Sequence, residues 1–233
     1  MSQFLHFAEH TLQEIALGFM ALVYTVRIVW FLHFKAGSER QGQTGSGDTT
    51  PTKGVLYSWA NIAMPWAMES TRKKFFLYVQ FVVFHLGVAA AIILSFIIPY
   101  GPGLLENKLV VLAFQVITAA ACVVGVIRMV RRVGSNYMRA ISSPDDYFSL
   151  ALLTVWLLSA VVAAPYGALV DPSGAANAEW LRLAFFLLTA FFLIYVPFSK
   201  ISHYLYYPFT RYYFGKTMGY RGVYPVRRNP EAG

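Results

Sequence analysis

LYVQFVVFHLGVAAAIILSF, Leu77 to Phe96, is an uninterrupted apolar run without a charged side chain. At about 1.5 Å per residue, a helix of roughly 20 residues crosses about 30 Å of hydrocarbon, so the run reads as a transmembrane helix. Outward from it, five such runs occupy approximately 11–34, 75–98, 107–130, 146–165 and 180–205. Of the 233 residues, 57% are hydrophobic and 13% charged, and the charges are confined to short stretches between the runs. A soluble domain of this length would need more charge. The expected fold class is therefore all-α: a polytopic membrane protein built as a five-transmembrane-helix bundle.

Several run ends carry their own signals. Pro99, Gly101, Pro102 and Gly103 predict a tight turn after the second run. Ser143, Pro144 and Asp145 read as N-cap, first helical residue and first-turn acid of the fourth, and Pro165 and Gly167 close it. The chain opens MSQFLHFAEHTLQ, with Glu9 and Glu14 but no Lys or Arg ahead of the first run. A secretory signal peptide needs a basic start, so this run is expected to stay as a helix.

Orientation follows from Lys and Arg. Lys35, Arg40, Lys53 and Arg72 to Lys74 lie between runs one and two, Arg131, Arg132 and Arg139 between three and four, and Arg211, Lys216, Arg221, Arg227 and Arg228 after five. The other side has Lys108 and Arg182. The positive-inside rule then predicts an outside N-terminus and a cytoplasmic C-terminus. The net charge of +8 is explained by this asymmetry, with attraction to anionic lipid or an acidic partner, and requires no nucleic acid.

Residues 1–210 are expected to form the membrane domain. Within it, 36–54 reads as a polar, mobile cytoplasmic linker, and 55–70, with two Trp and an interrupting Pro65, as a segment at the headgroup level. Residues 211–233, aromatic and basic, read as a cytoplasmic tail that docks a partner. No internal repeat or pair of broken helices of the transporter kind is visible.

The chemistry-bearing residues are few. Cys122 is the single cysteine, so no internal disulfide, CxxC or CxxCH exists, and any metal must be held by histidine. Of His6, His10, His33, His85 and His203, two belong to the inner half of the bilayer: His85 inside run two and His203 at the end of run five. An ionisable group there is a functional candidate because its cost needs a partner. One reading is a b haem held by both imidazoles, with Gly87 and Ala89 to Ala91 making room for the porphyrin. The other is a hydrogen-bonded His85 and an interfacial His203. Arg27 either snorkels to the headgroups or pairs with a haem propionate. Lys200 and Arg72 to Lys74 are further propionate candidates or simply solvated charges. His6 and His10 read as headgroup or quinone contacts, His10 alternatively as a ligand of a second haem, and His33 as an interfacial cap or a quinone or propionate contact.

VPFSKISH (Val196 to His203), VFHLG (Val83 to Gly87) and RRVGSNYMRAISSPDDYFSLALL (Arg131 to Leu153) together resemble the gamma subunit of respiratory nitrate reductase, over residues 75 to 210. That family of five-helix b-type cytochromes is related to the membrane cytochrome subunits of Dsr-type complexes. The resemblance implies haem b ligated by His85 and His203. It also implies that the positions of the family's second ligand pair are Ser95 and Phe185 here, so one haem is expected. The implied function is an electron-transfer subunit, incomplete as an enzyme. It would relay electrons in the inner membrane between quinone or quinol and a cytoplasmic iron-sulfur partner of nitrate-reductase or heterodisulfide-reductase type. The competing expectation is a haem-free structural anchor for a partner enzyme.

Overall fold

The computed structural model describes residues 3–35, 37, 41–45, 47–66, 69–164 and 175–225. The expected helix end at Pro165 and Gly167, and Arg40, Arg227 and Arg228, lie outside them. The described residues form helices α1 (Gln3–Glu9), α2 (Thr11–His33), α3 (Pro51–Ala60), α4 (Glu69–Lys73), α5 (Phe75–Tyr100), α6 (Lys108–Gly134), α7 (Asn136–Ala140), α8 (Pro144–Ala163), α9 (Ala175–Tyr195) and α10 (His203–Tyr220). No strand occurs among them. Five stretches are long and apolar enough to cross a membrane: Gln3–His33, Phe75–Tyr100, Lys108–Gly134, Pro144–Ala163 and Glu179–Phe198. The chain is a multi-pass, all-helical membrane protein. Only 11% to 44% of each apolar stretch is enclosed by protein, and the remainder, such as Leu22, Trp30 and Val130, requires lipid.

The ends of the spans follow local chemistry. The first begins earlier than expected, because His10 N–H donates to His6 O and Glu14 N–H to His10 O, carrying the backbone ladder across the short break between α1 and α2. The second does not stop before Pro99, which lies in the last turn of α5. A proline there forfeits one backbone bond without breaking the turns before it. Asn107 caps α6 by accepting from Leu109 N–H at 2.9 Å. Ser143 precedes α8 as expected, but the carboxylate that folds back on it is that of Asp146, which accepts from Ser143 N–H at 2.7 Å and from its hydroxyl at 2.8 Å. The fifth span was expected to run to residue 205. It ends as an α-helix at Tyr195, because Pro197 has no N–H to donate, and continues as 3-10 turns at Val196–Phe198 and Lys200–Ser202.

The chain divides into two compact units, Met1–Thr25 with Val79–Ile201 and Val26–Tyr78 with Ser202–Gly233. The first is a ring of helices. Gly87 of α5 lies against Ala121 of α6, where an added Cβ would collide with the alanine methyl. Gly125 of α6 lies against Thr154 of α8 in the same way. α8 meets α9 through Trp156, whose indole N–H donates to Thr189 Oγ1 at 2.8 Å and whose ring stacks on Phe185. α9 meets α2 where Gln13 donates to Phe186 O at 2.8 Å, and the ring closes where Tyr100 of α5 donates to Glu14 at 3.0 Å. Small residues let the backbones approach, which is how helices associate where lipid removes the hydrophobic drive.

The second unit is organised by α3 and α10. Gly54 and Ser58 on α3 face Gly215 and Gly219 on α10, each pair four residues apart. A Cβ on Gly54 would meet the Gly219 Cα at 2.6 Å, and one on Gly215 would meet the Val55 Cα at 2.7 Å. Trp59 N–H donates to Pro208 O at 3.0 Å and Arg211 Nε to Ser58 O at 2.9 Å. Within the stretch expected to be a mobile linker, 36–54, described residues are held by hydrogen bonds. Thr44 and Gly45 N–H donate to Arg221 O, Thr49 Oγ1 donates to Gly219 O at 2.8 Å, and Thr50 caps α3. These polar residues bind the C-terminal end of α10. Residues 211–220 are likewise part of a helix packed on its own chain, and the boundary drawn at 210 falls inside α10.

Candidate functional site

His85 sits in α5, one turn after Phe81, whose carbonyl is 2.7 Å from its Nδ1. A carbonyl can only accept, so this contact is a hydrogen bond when Nδ1 carries the proton, the tautomer in which Nε2 holds the lone pair. This is the second-sphere arrangement that holds an imidazole in one tautomer for a metal. The ring leans on Phe81 with centroids 4.1 Å apart, and the side chain is exposed at the protein surface. Gly87, expected to make room for a porphyrin, has its space taken by α6.

His203 is the first residue of α10 and is exposed. The Pro197 break sets where that helix starts. Ser199 Oγ donates to Val196 O at 3.1 Å and accepts from Ile201 N–H at 3.2 Å, fixing the connecting turns. His203 and Arg27 belong to the second unit; His85, Gly87 and Lys200 belong to the first. Arg27 is half-buried on α2, and His33 is exposed at its end.

Lys200 is engaged within the first unit. Its ammonium donates to Ser143 Oγ at 2.8 Å and to Asp146 Oδ2 at 3.0 Å, and Arg132 lies 3.8 Å from the same carboxylate oxygen. Tyr195 donates to Asp145 at 2.5 Å, and its hydroxyl is 2.9 Å from that of Ser149. These groups tie the ends of α6, α8 and α9 together. Lys200 is therefore first a structural ion-pair partner.

Two features escaped the sequence reading. Arg128, half-buried on α6, places its guanidinium 5.2 Å from the centroid of the Phe84 ring, beside His85 in sequence. It was masked by the basic run at 131 and 132, although its place three residues inside that run was a usable signal. The second is at the opposite ends of the spans. Glu9, 1% exposed, forms an ion pair with Arg182, whose side chain is 12% exposed. Beside them His6 and His10 pair with centroids 4.6 Å apart, and His10 meets the Tyr100 ring edge-on at 5.3 Å. No group of three or more His, Cys, Asp or Glu able to hold a metal occurs among the described residues.

At the positions expected to lack a second pair of ligands, Ser95 donates to Ile92 O at 2.7 Å, and Phe185 is fully enclosed between Trp156 and Phe186. Comparison of the chain with protein-family models, curated proteins and solved structures returned no match.

Proposed function

We propose that this protein is a membrane cytochrome b subunit that relays electrons between the quinone pool and an iron-sulfur protein on the cytoplasmic side of the inner membrane. The observation that carries this reading is the Nδ1 contact of His85 with Phe81 O, which in a haem-bound form would make Nε2 the ligating nitrogen of an imidazole carried on the protein surface within an apolar span. The pairing of His85 with His203 rests on the sequence resemblance through VFHLG and VPFSKISH. The donor set fits a bis-histidine haem, which needs two imidazoles and no cysteine.

When bound, the haem supplies one-electron carriage. His85 and His203 would hold it, and cations of the chain would balance its propionate charge. Arg128, over the ring of Phe84 next to His85 in sequence, is the candidate cation in the first unit, and Arg27 the candidate in the second. Lys200 is committed to Asp146 and contributes less. The resemblance supplies the electron's partner, a separate iron-sulfur subunit, placed on the face that carries Arg131, Arg132 and Arg139. The filled environment of Phe185 supports a single haem.

The test is a pyridine haemochrome spectrum with iron quantitation on the purified protein. One b haem per chain, absent from His85→Ala and from His203→Ala while both variants remain folded by circular dichroism, is the expected result. No haem in the wild type overturns the reading and leaves a structural anchor.

A further inference from the structure

The charge of the chain is not shared between its two units. By sequence, the first holds seven Lys and Arg against seven Asp and Glu, and the second twelve against four, so the second carries the whole net charge of +8. That unit contains the end of one membrane span, Val26–His33, and the start of the next, Phe75–Tyr78. Exposed Arg72 and Lys74 stand directly before the second of these. α3 and α10, locked through glycine, have turned their small residues inward. Outward they present Trp59, whose ring lies 6.4 Å from Tyr212, with exposed Lys216 and Tyr220 continuing along the Tyr212 side of α10 at four-residue steps.

We infer that the α3–α10 pair, together with the Arg72–Lys74 run of the same unit, binds the anionic headgroups of membrane phospholipid. Three observations favour lipid over an acidic protein. Trp59, Tyr212 and Tyr220 accompany Lys216 on the exposed side, the composition that suits the headgroup layer. The basic run abuts a span, where a cation lies within a Debye length of the surface. The α3–α10 pair is also locked through its glycines, so Lys53 and Lys216 are presented without ordering a loop. The ligand chemistry is a phosphodiester anion under a cation and beside an indole or phenol ring.

The experiment is native mass spectrometry of the full chain, released from detergent containing equal phosphatidylglycerol and phosphatidylcholine. We expect retention of phosphatidylglycerol over phosphatidylcholine by about tenfold, since each basic residue near the surface adds of order 1 kcal/mol. The preference should be lost in Lys53→Gln/Arg72→Gln/Lys74→Gln/Lys216→Gln. It should be kept in the conservative Lys53→Arg/Lys74→Arg/Lys216→Arg set, and in Arg131→Gln/Arg139→Gln of the first unit. Equal retention of the two lipids overturns the inference. So does a preference lost equally in the Arg131 and Arg139 variant, or one abolished by millimolar inorganic phosphate, which would make the site a free-phosphate site. Binding of a polyglutamate peptide without any lipid preference would assign this surface to an acidic protein instead.

Discussion

At the scale of single residues, cost and function separate cleanly. The Glu9–Arg182 pair is enclosed by protein, and truncating one partner leaves a buried charge uncompensated. Arg182→Leu is expected to destabilise the detergent-solubilised protein by about 3–5 kcal/mol, read as a lowered thermal midpoint by circular dichroism. Glu9→Leu/Arg182→Leu should recover most of that, because no uncompensated charge remains; a double variant as unstable as the single would count against the argument. Neither change should alter haem content. If the proposed haem is bound, Arg128→Gln should do the reverse, leaving stability nearly intact while lowering the haem midpoint potential by tens of millivolts, since a nearby cation favours the more negative, reduced form. An unchanged potential would remove Arg128 from the site. The pair Glu9–Arg182 was not legible in the sequence, because its members are far apart and each resembles an ordinary flanking charge.

At the scale of elements, the spans were legible and their joints only partly so. Apolar length alone marks a helix that must satisfy its own backbone in lipid, so the five runs were readable without any partner. The break at Pro197 was visible as a residue, but the apolar pattern continues past it, which is why one long helix was expected. α3 and α10 were harder. Their determinant is the register of Gly54 and Ser58 against Gly215 and Gly219, and neither spacing has meaning until the other helix is known. Gly54→Ala or Gly215→Ala forces backbone against backbone and should cost about 1–3 kcal/mol. The loss should be local, appearing as faster hydrogen exchange in 51–60 and 203–220 with the spans unaffected. Gly18→Ala, with nothing within 4 Å of the added Cβ, is the control and should change exchange nowhere. Protection unchanged in Gly215→Ala would mean the helices do not pack through these glycines.

At the scale of the molecule, the distribution of charge decides what can be read. The candidate ligands were legible because a histidine in an apolar run is conspicuous; the tautomer of His85 was not, since it depends on a helical carbonyl one turn away. The net charge was legible, but its confinement to one unit was not, because that unit is assembled from separate stretches of chain. This confinement has a consequence for insertion. The loop between the first two spans and the C-terminal tail carry the signal twice, in Lys35, Lys53 and Arg72 to Lys74 and again in Arg211, Lys216 and Arg221. Neutralising the tail cations should leave a C-terminal fluorescent-protein fusion bright, meaning cytoplasmic, because the loop still retains its own excess. Neutralising the loop as well should yield mixed orientation, visible as partial activity of a C-terminal alkaline phosphatase fusion. A reversal after the tail changes alone would show that the loop carries no topogenic weight, and its cations would then serve only at the lipid surface.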